Sequence, residues 1–406
     1  MIALHLLLAA VAAYLAFGVL YQLAYALTGL LPAPEPAPRR APGDAAPADP
    51  TRRYAVLIAA YREDAVIVET ARRALRQRYP AGAYEVIVLA DQLRPFTLRE
   101  LRRVAGVRTV VCSFDASTKS KSLRAGLSAI AADDFDAVVV LDADNRMAPD
   151  FLLEVDRFFD AGFRAVQGQR TAPPTALGAT ARWDAISEAV NNHILCAGHH
   201  AVGLSARLAG SGMAFDRALF ARVMADVHAI GGFDKELELR LTEAGESIAY
   251  AERARVYDEK VSDPEVFARQ RGRWLAAQYT YARRYLLRGL WAGLRHGRVD
   301  FANKALQMAL PPRLLLPVAL LALATACLPF ALGYAALFAG LFLLNVAAFG
   351  VAIPPAMWTS ASWLLLSHLP ALAWQACRSV ALIPASAKTF YHTPHRAEPV
   401  AQESEA

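Results

Sequence analysis

Residues 54–144 alternate short apolar runs with amphipathic segments, and this alternation constrains the fold more than any other feature. The apolar runs read YAVLIAA, YEVIVLAD, VRTVVCS and DAVVVLDAD, with segments such as TLRELRRVAG and KSKSLRAGLSAIAA between them. Short β-branched strands joined by helices form parallel sheets with right-handed crossovers. The sequence therefore predicts an α/β fold, with a mostly parallel sheet and helices on both faces.

Acidic residues stand at the ends of two of these predicted strands. Asp91 ends the second run, and Asp142 and Asp144 end the fourth. Ligands of open parallel sheets bind at the carboxyl ends of the strands, so we expect these carboxylates to face one crevice. The acid pair can bind Mg²⁺ or Mn²⁺, which prefer oxygen ligands and share them with substrate phosphates. A plain turn is the alternative, because Asp is common where strands end.

Two other classes of α/β protein fit the sequence less well. The first predicted strand is followed by AAYRED, whereas a dinucleotide-binding fold has a glycine-rich turn there. Asn145 and Arg146 follow the acid pair, where a phosphatase opening with Asp-x-Asp would need Thr or Ser.

Three segments of the second half carry further candidate binding residues. In LAGSGMAF, residues 208–215, Gly212 allows close approach of a ligand to the backbone, although a tight turn explains the glycines equally well. In GGFDKELELRLTEAGE, we expect Asp234 to cap a helix that has Glu236 in its first turn. Residues 264–285 predict a helix that places Gln270, Arg273 and Trp274 on one face. An amide, a guanidinium and an indole suit a diphosphate and a sugar ring, and an amphipathic helix with a core Trp is the alternative.

Two long stretches lack charged side chains. Residues 1–34 and 314–377 contain no Asp, Glu, Lys or Arg, and each exceeds the roughly 20 residues that span a bilayer. A cleaved signal peptide is the alternative for the first stretch, but it lacks a basic start. By the positive-inside rule, the segment after it lies in the cytoplasm and the N-terminus outside, because four arginines follow the span: Arg39, Arg40, Arg52 and Arg53.

These patterns predict five regions and an inner- or plasma-membrane, multi-pass location. The regions are an N-terminal span (1–31), a proline-rich linker (32–53), a cytosolic catalytic domain (54–307), a membrane region (308–385) and a cytosolic tail (386–406). In the membrane region we expect spans at 313–331 and 333–353, and an interfacial or re-entrant segment at 357–384. The net charge of +6 comes from scattered arginines and fits a membrane surface, so nucleic acid is not a predicted partner. The four cysteines have no metal-ligand or redox spacing.

Four of these features, taken in order, resemble the D, DxD, D, QxxRW pattern of membrane-embedded inverting family 2 glycosyltransferases. They are Asp91, the Asp142–Asp144 pair, Glu236 and QRGRW (270–274). Cellulose, chitin and hyaluronan synthases are members of that family, and the resemblance extends from about residue 54 to the C-terminus. It implies a UDP-sugar donor, a Mg²⁺ or Mn²⁺ cofactor, and a polysaccharide or lipid-linked acceptor at the bilayer. The sequence identifies no export partner protein.

The resemblance also implies individual roles. Glu236 would be the general base, Asp142 and Asp144 would bind the metal, and Gln270, Trp274 and Gly212 would contact the acceptor. The residues that would bind the nucleotide sugar are Tyr61, Glu63, Asp91, Lys119, Asp142 and Arg273. Departures from the family pattern are Arg124 for Asn, Lys235–Glu236 for Glu–Asp, and AAYRE, which retains only Glu63 of Pro-x-x-Asn-Glu.

The tail contains KTFYHTPHR, residues 388–396, which resembles the gating loop of cellulose synthase. Phe390 and Thr393 match that loop, and His395 stands in its lysine position. A basic juxtamembrane tail is the alternative. The expected activity is transfer of a hexose to a growing β-linked polysaccharide. Single-sugar transfer to a lipid-linked or other membrane acceptor, and a non-catalytic membrane scaffold, are the alternatives.

Overall fold

A computed structural model describes residues 2–36, 52–173, 179–229, 231–258 and 264–358, with four single positions between 374 and 380. The gating-loop-like residues Phe390, Thr393 and His395 lie outside the described residues, as does most of the expected interfacial segment 357–384.

The described strands form one eight-stranded sheet in the order β3-β2-β1-β4-β7-β6-β8-β5. Strands β1 to β4 are mutually parallel, β7 runs antiparallel to both β4 and β6, and β5 runs antiparallel to β8. The mixed α/β fold confirms the predicted class, and the antiparallel strands are the part that the sequence did not predict. The strands are β1 Tyr54–Tyr61, β2 Tyr84–Asp91, β3 Val107–Cys112, β4 Ala137–Asp142, β5 Arg146–Met147, β6 Ala165–Thr171, β7 Met213–Asp216 and β8 Ile248–Tyr257.

Helices cover both faces of the sheet and continue beyond it. A π-helical segment, Asn192–Ala197, connects α6 to α7. The helices are α1 Ile2–Thr28, α2 Ile67–Ala74, α3 Pro95–Arg103, α4 Lys119–Ala129, α5 Phe151–Asp160, α6 Ala179–Asn191, α7 Gly198–His200, α8 Arg217–Met224, α9 Phe233–Glu243, α10 Pro264–His296, α11 Val299–Ala309, α12 Leu316–Cys327 and α13 Leu332–Ala352.

Alternate residues of each central strand enter two different hydrophobic cores. In β1, Leu57 packs on the side of α4, α8, α9 and α11, whereas Val56 and Ile58 pack on the side of α2, α3 and α5. All three side chains are fully buried. Strands buried on both faces read as continuous apolar runs, which is why YAVLIAA and DAVVVLDAD show no polar alternation.

Helices α1, α12 and α13 pack together into an apolar bundle. Helices α1 and α13 are long and apolar enough to cross a membrane, whereas α12 has 12 residues and is shorter than the expected span 313–331. Only 28% and 33% of the most apolar windows of α1 and α13 are buried, unlike the core helices of soluble proteins. The bundle exposes large apolar side chains such as Leu6, Leu332 and Leu343.

The C-terminal half of α1 docks on the α/β part of the chain through polar and close backbone contacts. The Tyr21 hydroxyl donates to Asn303 Oδ1 at 2.8 Å, and the Tyr25 ring stacks on His199 at 3.6 Å between centroids. At Gly198 the backbone of α7 meets α1 so closely that a Cβ would lie 2.1 Å from the Tyr25 carbonyl oxygen. The first apolar helix is therefore an integral part of this fold.

Replacing Gly198 by Ala is expected to loosen this docking. Gly198 has ordinary helical angles, so Ala suits its backbone, and the penalty comes mainly from the overlap with the Tyr25 carbonyl oxygen. Overpacking of this kind costs about 1–3 kcal/mol. Thermal unfolding of the purified full chain in detergent should show a lower midpoint for Gly198→Ala. Gly333→Ala is the control, because a Cβ at Gly333 meets no atom within 4 Å. Equal midpoints for the two variants would contradict the contact.

Candidate active site

One cavity of about 740 Å³ lies at the carboxyl ends of β1, β2 and β4 and the N-terminal part of α9. Most of the sequence-predicted site residues line it: Tyr61, Glu63, Asp91, Lys119, Asp142, Asp144, Glu236, Gln270, Arg273 and Trp274. Gly212 does not line the cavity. Its N–H donates to the Val140 carbonyl at 2.9 Å and its carbonyl accepts from Gly168 at 2.8 Å, so it joins neighbouring strands of the sheet. Gly210, two residues earlier, does line the cavity.

Asp91 presents an unsatisfied carboxylate to this cavity. The residue is fully buried, and neither of its oxygens has a hydrogen-bond partner among the described residues. Burial raises the pKa of Asp91, while the nearby Ser117 hydroxyl and the charges of Arg62 and Lys121 partly offset that rise. A buried carboxylate without donors is costly, so its presence indicates a ligand that supplies N–H or O–H groups.

Two residues beside Asp91 have left-handed backbone angles. Arg62 follows β1 with φ 57° and Gln92 follows β2 with φ 56°, and the Arg62 Nε donates to Gln92 Oε1 at 2.9 Å. Such conformations cost about 1–3 kcal/mol in non-glycine residues and concentrate at functional sites. The paired turns fix the direction of the chain at the two strand ends that carry Tyr61 and Asp91.

Lys119 connects the acid pair to the glycine-rich segment. Its ammonium group forms an ion pair with Asp142 Oδ1 and donates to the Gly210 carbonyl oxygen at 2.7 Å. It also lies 5.2 Å from the centre of the Phe233 ring. Lys119 therefore places a positive charge at the carboxyl end of β4, beside Asp142, where an anionic ligand can bind.

Asp144 belongs to a second polar group at the same strand end. Asn145 is fully buried and donates from Nδ2 to Asp144 Oδ1 at 3.1 Å and to Asp258 Oδ1 at 2.8 Å. Arg170 donates to the other oxygen of Asp258 at 2.7 Å. Asp258 follows β8 and lines the cavity. The sequence did not indicate it as a site residue, because a single Asp after a strand is a weaker signal than the acid pair.

The acid pair offers hard oxygen ligands but few of them. Within the described ranges, no group of three or more His, Cys, Asp or Glu side chains is close enough to hold a metal ion. Mg²⁺ and Mn²⁺ commonly bind one or two carboxylates and complete their coordination with substrate phosphates and water. The donor set at Asp142 and Asp144 therefore fits a metal that binds together with a phosphate ligand.

Helix α9 begins two residues earlier than expected, which corrects the role of Asp234. The helix starts at Phe233, and its N-cap is Gly232 with φ 64°, so Asp234 is in the first turn and caps nothing. Asp234 lines the cavity, and no hydrogen bond or ion pair engages its carboxylate in the described part of the chain. Gly210 lies beside it, because a Cβ there would be 4.0 Å from Asp234 Oδ2.

Two further acids of α9, Glu236 and Glu238, form buried ion pairs. Glu236 is 2% exposed, and its Oε1 accepts from Arg240 at 3.0 Å and from Arg284 at 3.2 Å. Glu238 is paired with the fully buried Lys304 of α11 at 3.2 Å and accepts from the Leu208 N–H at 2.7 Å. Glu238 is thus a structural carboxylate, and Glu236 is held by two guanidinium groups.

The QRGRW segment lies in the first half of α10. Gln270, Arg273 and Trp274 all line the cavity, as their spacing predicts, and burial lowers the pKa of Arg273. One feature differs from the expected sugar-stacking surface: the Arg271 guanidinium lies over the Trp274 ring, 4.7 Å from its centre. One face of the indole is therefore already covered by a cation.

A sheet of this order, with acids at the carboxyl ends of its strands, defines the GT-A-like class of nucleotide-sugar-binding α/β proteins. The model of the family described as "Glycosyltransferase like family 2" matches residues 50–277, more than half of the chain. The chain belongs to this family.

Solved structures resemble this fold at low sequence identity. The mannosyltransferase PcManGT from Pyrobaculum calidifontis, in complex with GDP-Man and Mn²⁺, has a TM-score of 0.56 at 20% identity, covering 91% of this chain and 98% of that chain. TarS 1-349 from S. aureus has a TM-score of 0.39 at 13% identity, covering 83% and 90%. Glucosyl-3-phosphoglycerate synthase from Mycobacterium tuberculosis, in complex with Mn²⁺, UDP and phosphoglyceric acid, has a TM-score of 0.36 at 19% identity. The match covers 54% of this chain and 74% of that chain. A search of curated proteins found no significant match.

Proposed function

We propose that this protein is a membrane-bound, inverting hexosyltransferase that moves a sugar from a nucleoside-diphosphate donor to an acceptor hydroxyl. The observation that carries the proposal is the single cavity in which Asp91, the acid pair, the α9 acids and the QRGRW segment meet. The chain's family is consistent with this activity. A non-catalytic scaffold would have no need for the unsatisfied Asp91 carboxylate in that cavity.

The donor nucleotide is assigned to the Asp91 end of the cavity. The Asp91 carboxylate can accept one N–H from the uracil ring or two neighbouring N–H groups from guanine. The resemblance in sequence implies a UDP-sugar, whereas the structurally similar PcManGT was solved with GDP-Man. Tyr61 ends β1 next to Asp91 on β2, Glu63 follows the strand, and both are proposed to hold the nucleoside.

The donor diphosphate is assigned to the acid pair and the nearby cations. When bound, Mg²⁺ or Mn²⁺ at Asp142 and Asp144 would neutralise charge that develops on the leaving diphosphate. Lys119 forms an ion pair with Asp142, and Arg273 lines the same cavity. Both side chains can therefore donate charge-assisted hydrogen bonds to phosphate oxygens. Asn145 holds the Asp144 carboxylate in place through its 3.1 Å hydrogen bond.

A carboxylate of α9 is proposed to accept the proton of the acceptor hydroxyl. The sequence resemblance assigns this role to Glu236, but the geometry favours Asp234. Glu236 already accepts hydrogen bonds from Arg240 and Arg284, whereas the Asp234 carboxylate faces the cavity without a partner in the described part of the chain. A general base needs an oxygen within reach of the substrate hydroxyl.

One displacement then completes the transfer. The acceptor oxygen bonds to the anomeric carbon, the bond from that carbon to the diphosphate oxygen breaks, and the hydroxyl proton passes to the carboxylate. Because the nucleophile and the leaving group occupy opposite faces of the sugar, the anomeric configuration inverts. An α-linked donor gives a β-linked product.

Two acceptors fit the cavity. A growing β-linked polysaccharide follows from the sequence resemblance, with Gln270 and Trp274 beside its terminal sugar. A second candidate is single-sugar transfer to a lipid-linked acceptor, which is favoured because the cavity is also lined by Tyr21 and Gln22 of α1. The covered face of Trp274 also offers less stacking area for a sliding chain.

Product length after exhaustive reaction separates the two acceptors. Membranes containing the full chain would be incubated with radiolabelled UDP- and GDP-sugars and Mn²⁺, and products would be sized by gel filtration and by lipid extraction. We expect one donor to label an organic-extractable product carrying a single added sugar. Long, water-soluble chains would instead support the polysaccharide. Absence of labelling with every donor, while membranes of a characterised glycosyltransferase label normally, would contradict the proposed function.

A further inference from the structure

The active-site cavity continues from the sheet to the start of the apolar bundle. Its far end is lined by Tyr21 and Gln22 of α1 and by residues 311–315, which connect α11 to α12. Arg313 is the last charged residue before α12, and the apolar stretch of residues 314–377 follows it directly. A ligand at this end would therefore touch the catalytic cavity and an apolar helix surface at the same time.

Three arginines gather at this end of the cavity. Arg271 and Arg313 both donate to the Ser187 hydroxyl at 3.2 Å, and Arg271 is paired with Asp184 at 3.2 Å. Arg207 lies within electrostatic reach of both of them. Burial lowers the pKa of Arg271, pairing with Asp184 opposes that effect, and the like charge of Arg207 adds to it.

Two of the three guanidinium groups in this cluster keep unused hydrogen-bond donors. Glu188 acts on Arg271 and Arg313, and Asp184 acts on Arg271. Within the described ranges, no hydrogen bond or ion pair engages the Arg207 guanidinium, and Arg313 Nη1 is buried without a hydrogen-bond acceptor. Guanidinium N–H groups that are withdrawn from water without an acceptor are costly, so the cluster indicates an anionic ligand.

We propose that Arg207, Arg271 and Arg313 form a binding site for the phosphate or diphosphate group of a membrane lipid, which is the acceptor of the transferred sugar. Guanidinium groups bind phosphate oxygens in pairs, and the three arginines can surround one such group. The lipid chain would lie against the exposed apolar surface that begins at α12, where Leu321 is 52% exposed. Its headgroup would enter the cavity, with a hydroxyl directed toward Asp234.

The site is separate from the residues assigned to the donor diphosphate. Asp142 and Asp144 stand at the end of β4 and Lys119 begins α4, whereas Ser187 and Asp184 belong to α6 and Arg313 precedes α12. Arg273, which is also assigned to the donor, lies on α10 two residues from Arg271. Arg271 is one of the two variable positions within the QxxRW pattern, so the pattern itself does not require it. The inference rests on the proposed function, since it identifies the acceptor of the same reaction.

Farnesyl diphosphate in detergent micelles provides a defined probe. Its binding to the purified full chain would be followed by isothermal titration, with UDP or GDP and Mg²⁺ at saturation so that the donor site stays filled. Farnesol tests the apolar chain alone, and inorganic diphosphate tests free phosphate. We expect farnesyl diphosphate to bind at least about tenfold more tightly than either, because it alone satisfies both parts of the site.

Arg207→Gln is the informative variant, because it breaks no described hydrogen bond and leaves the fold intact. It should weaken farnesyl diphosphate binding at least about tenfold while nucleotide affinity stays unchanged. Arg283→Gln is the matched control, because Arg283 is an exposed residue of the same α10 that carries Arg271.

Three outcomes would overturn the lipid-phosphate site. They are unchanged binding in Arg207→Gln, equal binding of farnesol, and equal binding of inorganic diphosphate, which would mark a free-phosphate site instead. Failure of both nucleotides to bind the wild type would count against the proposed function itself. Normal nucleotide binding without binding of farnesyl diphosphate would count only against the lipid site.

Discussion

Asp234→Asn is expected to lower kcat by roughly 10² to 10⁴ while leaving donor affinity nearly unchanged, the usual result of removing a general base. Asparagine keeps the size of the side chain but cannot accept the hydroxyl proton. Initial rates at saturating donor and acceptor would be measured together with the affinity for the nucleotide. The expected split is a large loss in kcat without a matching loss in binding.

Glu236→Gln is the matched comparison, because it removes a charge from the same turn of α9. We expect it to lower thermal stability, since Arg240 and Arg284 would lose their carboxylate partner in a buried position. Its kcat should fall less than that of Asp234→Asn. If a folded Glu236→Gln protein instead loses as much activity and Asp234→Asn stays active, Glu236 is the base, as the sequence resemblance implies.

Loss of the metal is expected to have the second large effect. Chelation should abolish turnover, and Asp144→Asn should weaken binding of the metal–nucleotide complex, because a neutral amide is a poorer ligand for Mg²⁺ or Mn²⁺ than a carboxylate. Nucleotide affinity would be measured with and without Mn²⁺. The dependence of affinity on Mn²⁺ should be largely lost in the variant.

Asp134→Asn is the control for this experiment, because its carboxylate is 93% exposed and far from the cavity lining. It should bind nucleotide and Mn²⁺ as the wild type does. Full activity of Asp144→Asn in buffer stripped of metal would show that the acid pair acts without a cation. In that case Lys119 and Arg273 alone would stabilise the leaving diphosphate.

The sequence predicted the parallel half of the sheet well because each of those strands is a continuous apolar run. Strands β1 to β4 begin and end within a residue or two of the predicted runs, which placed Asp91 and Asp142 at strand ends. The antiparallel β7 was hidden in a glycine-rich segment, and β8 contains charged residues such as Glu252 and Arg253 in an otherwise apolar strand. Their pairing depends on contacts that are remote in sequence.

The site was predictable where the residues belong to a pattern and not where tertiary docking brings them together. The spacing of Gln270, Arg273 and Trp274 placed them on one helix face. By contrast, Arg207 and Arg313 are more than a hundred residues apart, and they come within electrostatic reach because α11, which precedes Arg313, packs on α9. The start of α9 was missed by two residues, because the left-handed Gly232 takes the capping position that Asp234 would suit.

The buried pair of Lys304 and Glu238 sets the minimum length of a folded catalytic fragment. The family match ends at residue 277, yet Lys304 lies on α11 and is fully buried against Glu238 of α9. Phe301 and Ala305 of the same helix complete the hydrophobic core on that side of the sheet. A fragment cut at the family boundary would leave Glu238 as an uncompensated interior charge, a defect that costs about 3–5 kcal/mol. A truncation therefore has to retain the chain through Ala309, so the folding unit of this glycosyltransferase family member extends to the edge of the apolar bundle.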